Sequence, residues 1–146
     1  MADTTNTTRI TQVGTVFVPV ADQDKALEFY QGKLGFEKRV DFIYGKELRW
    51  IEVAPPGSVN TIALVPAGEG NSVRSDAARC AFATEDIEAD HASLRDSGVD
   101  VDKEIATKGN SRPGLLSIEV SVGNPVPPQF FFRDIDGNRF LIVEPG

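Results

Sequence analysis

The sequence has little of what secreted, membrane-spanning and metal-binding proteins commonly carry. Its 146 residues include one cysteine and one histidine. A lone cysteine cannot form an intrachain disulfide, so nothing indicates an oxidising compartment. No apolar run approaches the roughly 20 residues of a membrane helix, and the polar start, MADTTNTTRITQ, lacks the apolar segment of a secretory signal. We therefore expect a cytoplasmic protein that does not enter a membrane.

The sequence also lacks an excess of positive charge. Fifteen Lys and Arg stand against 22 Asp and Glu, which gives a formal net charge of −7. This balance disfavours non-specific nucleic-acid binding and favours neutral or cationic partners at long range. A chain of this size suits one compact domain, or two small modules that share a core.

What is present is an internal repeat of strand, helix and three strands. In the first copy, Asp22 is placed to cap a helix, and Gly32 or Gly35 to end it. In the second, Asp86 and Gly98 take the corresponding places. Apolar and β-branched patterning predicts the strands of the first copy at 13–20, 36–44, 48–53 and 61–65, and those of the second at 79–84, 99–105 and 115–122, followed by a hairpin around Gly137.

The two copies can be aligned along the chain. Asp22 aligns with Asp86, and Leu27 with His91. Trp50 lies seven residues before Gly57, as Phe130 lies seven before Gly137. A repeat of roughly 70 residues is too long for a solenoid, so two modules in one domain are predicted. The boundaries that we predict are a disordered tail at 1–11, a first module at 12–66, a linker at 67–77 and a second module at 78–146.

Three stretches carry a family resemblance: VADQDKALEFYQGKLGF, ATEDIEADHASLRDSGVDV and FFFRDIDGNRFLIVEP. They resemble the vicinal oxygen chelate superfamily, which includes glyoxalase I, bleomycin resistance proteins, fosfomycin resistance enzymes and extradiol dioxygenases. The resemblance covers 13–145 except 106–126. It implies an α+β fold in which two βαβββ modules form curled, mostly antiparallel sheets around a cavity, within a homodimer.

Enzymes of that superfamily hold a divalent metal with four side chains, and the resemblance places these at Thr15, Ala63, Arg79 and Leu141. A threonine hydroxyl is a poor ligand, Ala63 and Leu141 offer no donor, and Arg79 brings a positive charge. We therefore expect no metal and no other cofactor. Four other carboxylates show no ligand spacing and are interpreted as solvated charges: Glu47, Glu52, Glu119 and Glu144.

The two residues most often found in reactive sites are interpreted as packing residues here. His91 falls on the inward face of the second predicted helix. Cys80 alternates with Arg79, which turns it towards the helices, where it is a small buried hydrophobe. The chain has no second histidine to activate the thiol.

Alternation along the strands predicts the cavity wall. The side chains that we expect to contact a ligand are Thr15, Phe17, Trp50, Thr61, Ala63, Arg79 and Leu141. Their neighbours are expected to pack as core: Val16, Val18, Ile62, Leu64, Phe82, Phe140 and Ile142. For Trp50, packing in the core remains the alternative to ligand contact. For Arg79, three interpretations remain: it anchors a ligand, it forms an internal salt bridge to a carboxylate such as Glu52, or its side chain extends to the cavity mouth.

The function that these residues predict is metal-free binding or sequestration of a small, largely apolar molecule. The alternative is a lyase, isomerase or dioxygenase of the glyoxalase type, with a displaced metal site or metal-independent acid–base chemistry. An interaction domain with a vestigial cavity is a third possibility. The segment 106–126 is interpreted as a lid, an arm that reaches a partner or a mobile loop. The sequence identifies neither the ligand nor whether a dimer exchanges modules.

Overall fold

Two modules of the same order make up the fold. The structure, a computed structural model, describes residues 8–46, 48–68, 76–107 and 127–145. The elements of the first module are β1 (Thr15–Val20), α1 (Gln23–Gly32), β2 (Glu37–Tyr44), β3 (Leu48–Ala54) and β4 (Thr61–Pro66). Those of the second are β5 (Ala78–Ala83), α2 (Ile87–Asp96), β6 (Asp100–Val101), β7 (Gln129–Arg133) and β8 (Arg139–Val143).

Each module contributes one four-stranded sheet. The strand orders are β1-β4-β3-β2 and β5-β8-β7-β6. In both sheets the first strand pairs in parallel with the last, and the remaining neighbours are antiparallel. The predicted pair of βαβββ modules is confirmed.

The helices begin where the sequence places their caps. The Asp22 carboxylate accepts from the backbone N–H of Lys25 at 3.1 Å, and the Asp86 carboxylate accepts from that of Ala89 at 3.1 Å. These bonds satisfy N–H groups that have no partner within the helix. Gly98 follows the end of α2 with a φ of 85°, which a side chain would strain.

The core lies between the helices and one face of each sheet, as alternation predicts. Val18, Ile62, Leu64, Phe140 and Ile142 belong to one buried cluster that also contains residues of α1 and α2. Val16, Phe82 and Cys80 are partly buried and pack against this cluster. One core therefore serves both modules, and the opposite face of each sheet is left for other contacts.

The strand predicted at 99–105 is much shorter in the structure. β6 covers only Asp100–Val101. Beyond it, the backbone N–H of Asp102 still donates to the Phe131 carbonyl oxygen at 2.9 Å, but the Phe131 N–H is bonded to the Asp102 carboxylate at 2.9 Å. The Asp102 carbonyl oxygen lies 2.7 Å from His91 Nε2, so side chains replace the backbone partners that would continue the strand.

Trp50 and Phe130, which the repeat aligns, lie in corresponding strands but on opposite faces of their sheets. Phe130 lies in the core, with its ring 4.9 Å from that of His91. In β3 the core residue is Ile51, so Trp50 points the other way. Gly57 is the third residue after β3, whereas Gly137 is the fourth after β7, so counting back seven residues from each glycine reaches strand positions that differ by one.

Several predictions fall partly or wholly outside the described residues. These are residues 1–7 of the predicted tail, 69–75 of the linker, 108–126 with the strand predicted at 115–122, and the carboxylates of Glu47 and Glu119. Residues 8–14, which precede β1, form neither helix nor strand and are exposed. Within the described ranges, neither helix has the length and apolar character needed to cross a bilayer.

Candidate functional site

The face of the first sheet that points away from the core gathers five of the seven predicted ligand residues. In the parallel register of β1 and β4, Thr15 lies beside Thr61 and Phe17 beside Ala63. On its other side, Ala63 of β4 pairs with Glu52 of β3. We call this surface, formed by Thr15, Phe17, Trp50, Glu52, Thr61 and Ala63, the distal face of the first sheet.

Hydrogen bonds connect four residues of the distal face. The hydroxyl oxygens of Thr15 and Thr61 lie 2.9 Å apart. Thr61 Oγ1 donates to Glu52 Oε1 at 2.8 Å, and Trp50 Nε1 donates to Glu52 Oε2 at 2.7 Å. Both carboxylate oxygens are therefore held in fixed directions by side chains from neighbouring positions on the sheet.

Glu52 is a functional candidate that the sequence patterns leave out of the predicted ligand residues. They predict a solvated charge or a salt-bridge partner of Arg79, whereas the structure places Glu52, half-buried, at the centre of the distal face with Trp50 and Thr61 as its partners. Its separation of two residues from Trp50 puts both side chains on the same side of β3. A buried indole N–H seeks an acceptor, so this spacing is the signal that could have identified Glu52.

Aromatic rings form one side of the distal face. The rings of Phe17 and Trp50 lie 5.8 Å apart at 83°, so they meet as two walls of a corner. Phe42 pairs with Trp50 across β2 and β3, and its ring lies 6.1 Å from that of Tyr44. Phe17 is 60 % exposed and Phe42 is 52 % exposed, so this aromatic surface is accessible to a ligand.

Arg79 lies at the junction between the modules. Its Nε atom donates to Asn138 Oδ1 at 2.7 Å. The Asn138 side chain is fully buried and donates from Nδ2 to the carbonyl oxygen of Pro19 and to Asp134. Asp134 also accepts from the Tyr30 hydroxyl at 2.6 Å, and burial, together with this carboxylate, raises the pKa of Tyr30 well above its usual range.

Leu141 lies on the second sheet and is fully buried. Its neighbours across the strands are Ala81 and Phe131. The Arg139 guanidinium lies 3.6 Å from the centre of the Phe131 ring, and this stacking leaves Arg139 half-buried. Leu141 pairs with Ala81 as Ala63 pairs with Phe17, so the register makes Leu141 the counterpart of Ala63 in the second module.

The four positions at which the superfamily resemblance places a metal do not fit one. Thr15 Oγ1 is already bonded to Thr61, Arg79 carries a positive charge, and Ala63 and Leu141 have no donor atom. Within the described ranges no three side chains of His, Cys, Asp or Glu come together as a metal site would require.

The predicted packing roles of His91 and Cys80 are confirmed. His91 is buried against Phe130, with its Nε2 atom at 2.7 Å from the Asp102 carbonyl oxygen. Cys80 packs against the core, and burial raises the pKa of its thiol to about 11. Neither side chain belongs to the distal face.

Comparison with known proteins agrees with this architecture. The family model of the Glyoxalase/Bleomycin resistance protein/Dioxygenase superfamily matches this sequence over residues 10–142. The uncharacterized protein YetH of Bacillus subtilis (strain 168) is 32 % identical over 135 residues, which cover 92 % of this chain and 99 % of YetH.

Two solved structures share most of the fold. TnmS3, an antibiotic binding protein from Streptomyces sp. CB03234, is 30 % identical, with a TM-score of 0.70 over 95 % of this chain and 99 % of that chain. A member of the same superfamily from Sphaerobacter thermophilus DSM 20745 is 29 % identical, with a TM-score of 0.72 over 93 % and 98 % of the two chains.

Proposed function

Because the chain belongs to the glyoxalase/bleomycin resistance protein/dioxygenase superfamily, we propose that it binds a small, largely apolar molecule at the distal face of its first sheet, without a metal. The observation that carries this proposal is the accessible aromatic corner of Phe17 and Trp50, beside the hydrogen-bonded group of Glu52 and Thr61. Ligand sites commonly combine an apolar wall with a few fixed polar groups.

The similarity to TnmS3 supports binding as the activity, since that protein binds an antibiotic and aligns over nearly the whole chain. Membership of the superfamily alone does not select between binding and catalysis, because one scaffold hosts many activities.

The metal-free part of the proposal rests on the donor atoms that the four positions offer. A divalent ion needs several converging donors, and the positions Thr15, Ala63, Arg79 and Leu141 offer one weak oxygen.

The proposed contact residues are Thr15, Phe17, Trp50 and Thr61, with Glu52 added. Ala63 is fully buried, so its contact with a ligand stays a prediction. Arg79 and Leu141 stay predictions, because they lie on the second sheet and serve a ligand only if it reaches past the junction between the modules. We also propose a homodimer, since the edge strand β2 leaves Phe42, Ile43 and Tyr44 exposed and a second copy would cover them.

A titration with neutral 2-naphthylmethanol tests the binding proposal. The chain has one tryptophan, so a single indole N–H signal in a ¹⁵N NMR spectrum reports on the distal face. We expect a saturable shift of this signal that EDTA does not change. Phe17→Ala should weaken binding about three- to tenfold, which corresponds to the loss of an aromatic contact.

Val59→Ala is the matched control, because Val59 is 77 % exposed in the connection between β3 and β4 and belongs neither to the distal face nor to the proposed dimer contact. It should leave both the affinity and the melting temperature unchanged. Shifts that never saturate, or binding that is lost on chelation, would contradict the proposal. Turnover of added compounds would instead favour the enzymatic alternative.

Sedimentation equilibrium at micromolar concentration tests the proposed homodimer, and a protein that is only monomeric would contradict it.

A further inference from the structure

The two hydrogen-bond partners of the Glu52 carboxylate are both neutral. Its oxygens accept from the Trp50 indole and the Thr61 hydroxyl. Within the described ranges no Lys, Arg or His nitrogen lies within 4.0 Å of it. A half-buried carboxylate that has neutral donors and no counter-ion keeps an uncompensated negative charge.

The aromatic surface beside Glu52 favours the same sign of ligand charge. The faces of aromatic rings carry negative potential and attract cations, and indole does so most strongly. Trp50 and Phe17 meet at 83°, so a group placed in their corner contacts two rings as well as the carboxylate. Phe42, opposite Trp50 in the register, extends this surface.

We propose that Glu52 is the specificity-determining residue of the site, and that it selects planar aromatic ligands that carry an ammonium or another cationic nitrogen. This inference rests on the proposed binding function. An ionised carboxylate has about four acceptor positions, so each oxygen can accept a ligand N–H while it keeps its bond to Trp50 or Thr61. Those two bonds hold the carboxylate in place before the ligand arrives, and the net charge of −7 attracts a cation at longer range.

Three probes that share one ring system test the selection: 1-naphthylmethylammonium, 1-naphthylmethanol and 1-naphthoate. Dissociation constants come from the shift of the single indole N–H signal at pH 7. We expect the cation to bind about fivefold or more tightly than the alcohol, and the anion to bind most weakly. In Glu52→Gln the cation should lose more affinity than the alcohol, so that the ratio of their two dissociation constants falls to about one.

Glu28→Gln is the control, because Glu28 is exposed on α1 and its loss changes the net charge equally. It should keep the preference for the cation. If the alcohol binds but charge makes no difference, or if the anion binds best, the assignment of Glu52 is wrong while the binding function stands. If none of the probes binds to the folded protein, both proposals fail.

Discussion

The side-chain amide of Asn138 donates from Nδ2 to the carbonyl oxygen of Pro19 at 2.8 Å, which joins the β7–β8 turn of the second module to β1 of the first. The same side chain accepts from Arg79 through Oδ1. Asp134, in this turn, accepts from Tyr30 of α1. The turn therefore holds three elements together, and Asn138 has no exposed surface on which water could replace these bonds.

Asn138→Ala should lower the free energy of unfolding by about 2–3 kcal/mol, because it removes the donor to the Pro19 carbonyl oxygen and to the buried Asp134 carboxylate, and one acceptor of Arg79. Urea denaturation followed by circular dichroism measures this change. The matched control is Asn60→Ala, since Asn60 is exposed in the corresponding turn of the first module and should cost less than about 0.5 kcal/mol. Equal effects of the two substitutions would show that the amide does not join the modules.

Arg79→Ala separates the predicted roles of this residue. The bond from Arg79 Nε to the buried Asn138 leads us to expect a loss of about 1–2 kcal/mol in unfolding free energy, with the affinity for 2-naphthylmethanol kept within about twofold. Arg95→Ala is the control, because the Arg95 side chain is 59 % exposed. Lost binding with unchanged stability would make Arg79 a ligand anchor instead.

Asp136→Asn should stabilise the protein at pH 7. Burial raises the pKa of the Asp136 carboxyl, and the negative charges of Asp134 and Asp22 raise it further. The hydrogen bond that it accepts from the Ala21 N–H lowers the pKa but does not cancel these effects. Its Oδ2 atom is buried and has no hydrogen-bond partner among the described residues. Because the ionised form is disfavoured in the fold, the substitution removes a destabilising charge while an amide oxygen can still accept from Ala21.

The sign of the pH dependence checks this explanation. A carboxyl whose pKa is raised by folding destabilises the fold above its unfolded pKa, and the cost disappears as the pH falls and the group is protonated. The gain from Asp136→Asn should therefore shrink in thermal melts as the pH falls from 7 towards the unfolded pKa of about 3.9. Glu28→Gln, which removes an exposed charge, is the control, and a gain that is constant with pH would rule out this cause.

Cys80 should react slowly in the folded protein. With a pKa of about 11, about one thiol in a thousand is ionised at pH 8, against about a quarter in an unfolded chain. Alkylation by iodoacetamide at pH 8, followed by mass spectrometry, should be at least about 100-fold slower without urea than with it. Equal rates would contradict burial of the thiol.

The raised pKa of Cys80 also predicts a loss of stability at high pH. The folded state keeps the thiol protonated, so its contribution is complete below the unfolded value of about 8.5 and is lost as the pH rises to about 11. The loss should amount to about 1–2 kcal/mol after allowance for partial exposure of the group. Cys80→Ala should lack this part of the alkaline decline in urea denaturation.

Local patterns in the sequence determined the order of elements and the buried face. The caps Asp22 and Asp86 act within one helical turn, and the alternation of Val18, Ile62 and Phe140 follows from the two-residue period of a strand. Such properties depend on neighbours along the chain, so they are readable before the fold is known.

Contacts between distant strands were decided by the tertiary structure. Glu52 bonds to Thr61 only because β3 pairs with β4, and Arg79 reaches Asn138 only because β5 pairs with β8 within the second module. The opposite faces of Trp50 and Phe130 are also a property of the fold, since the turn glycine follows β3 by one residue fewer than it follows β7. The sequence specifies the faces, but register, loop length and the approach of the two modules decide which side chains come into contact.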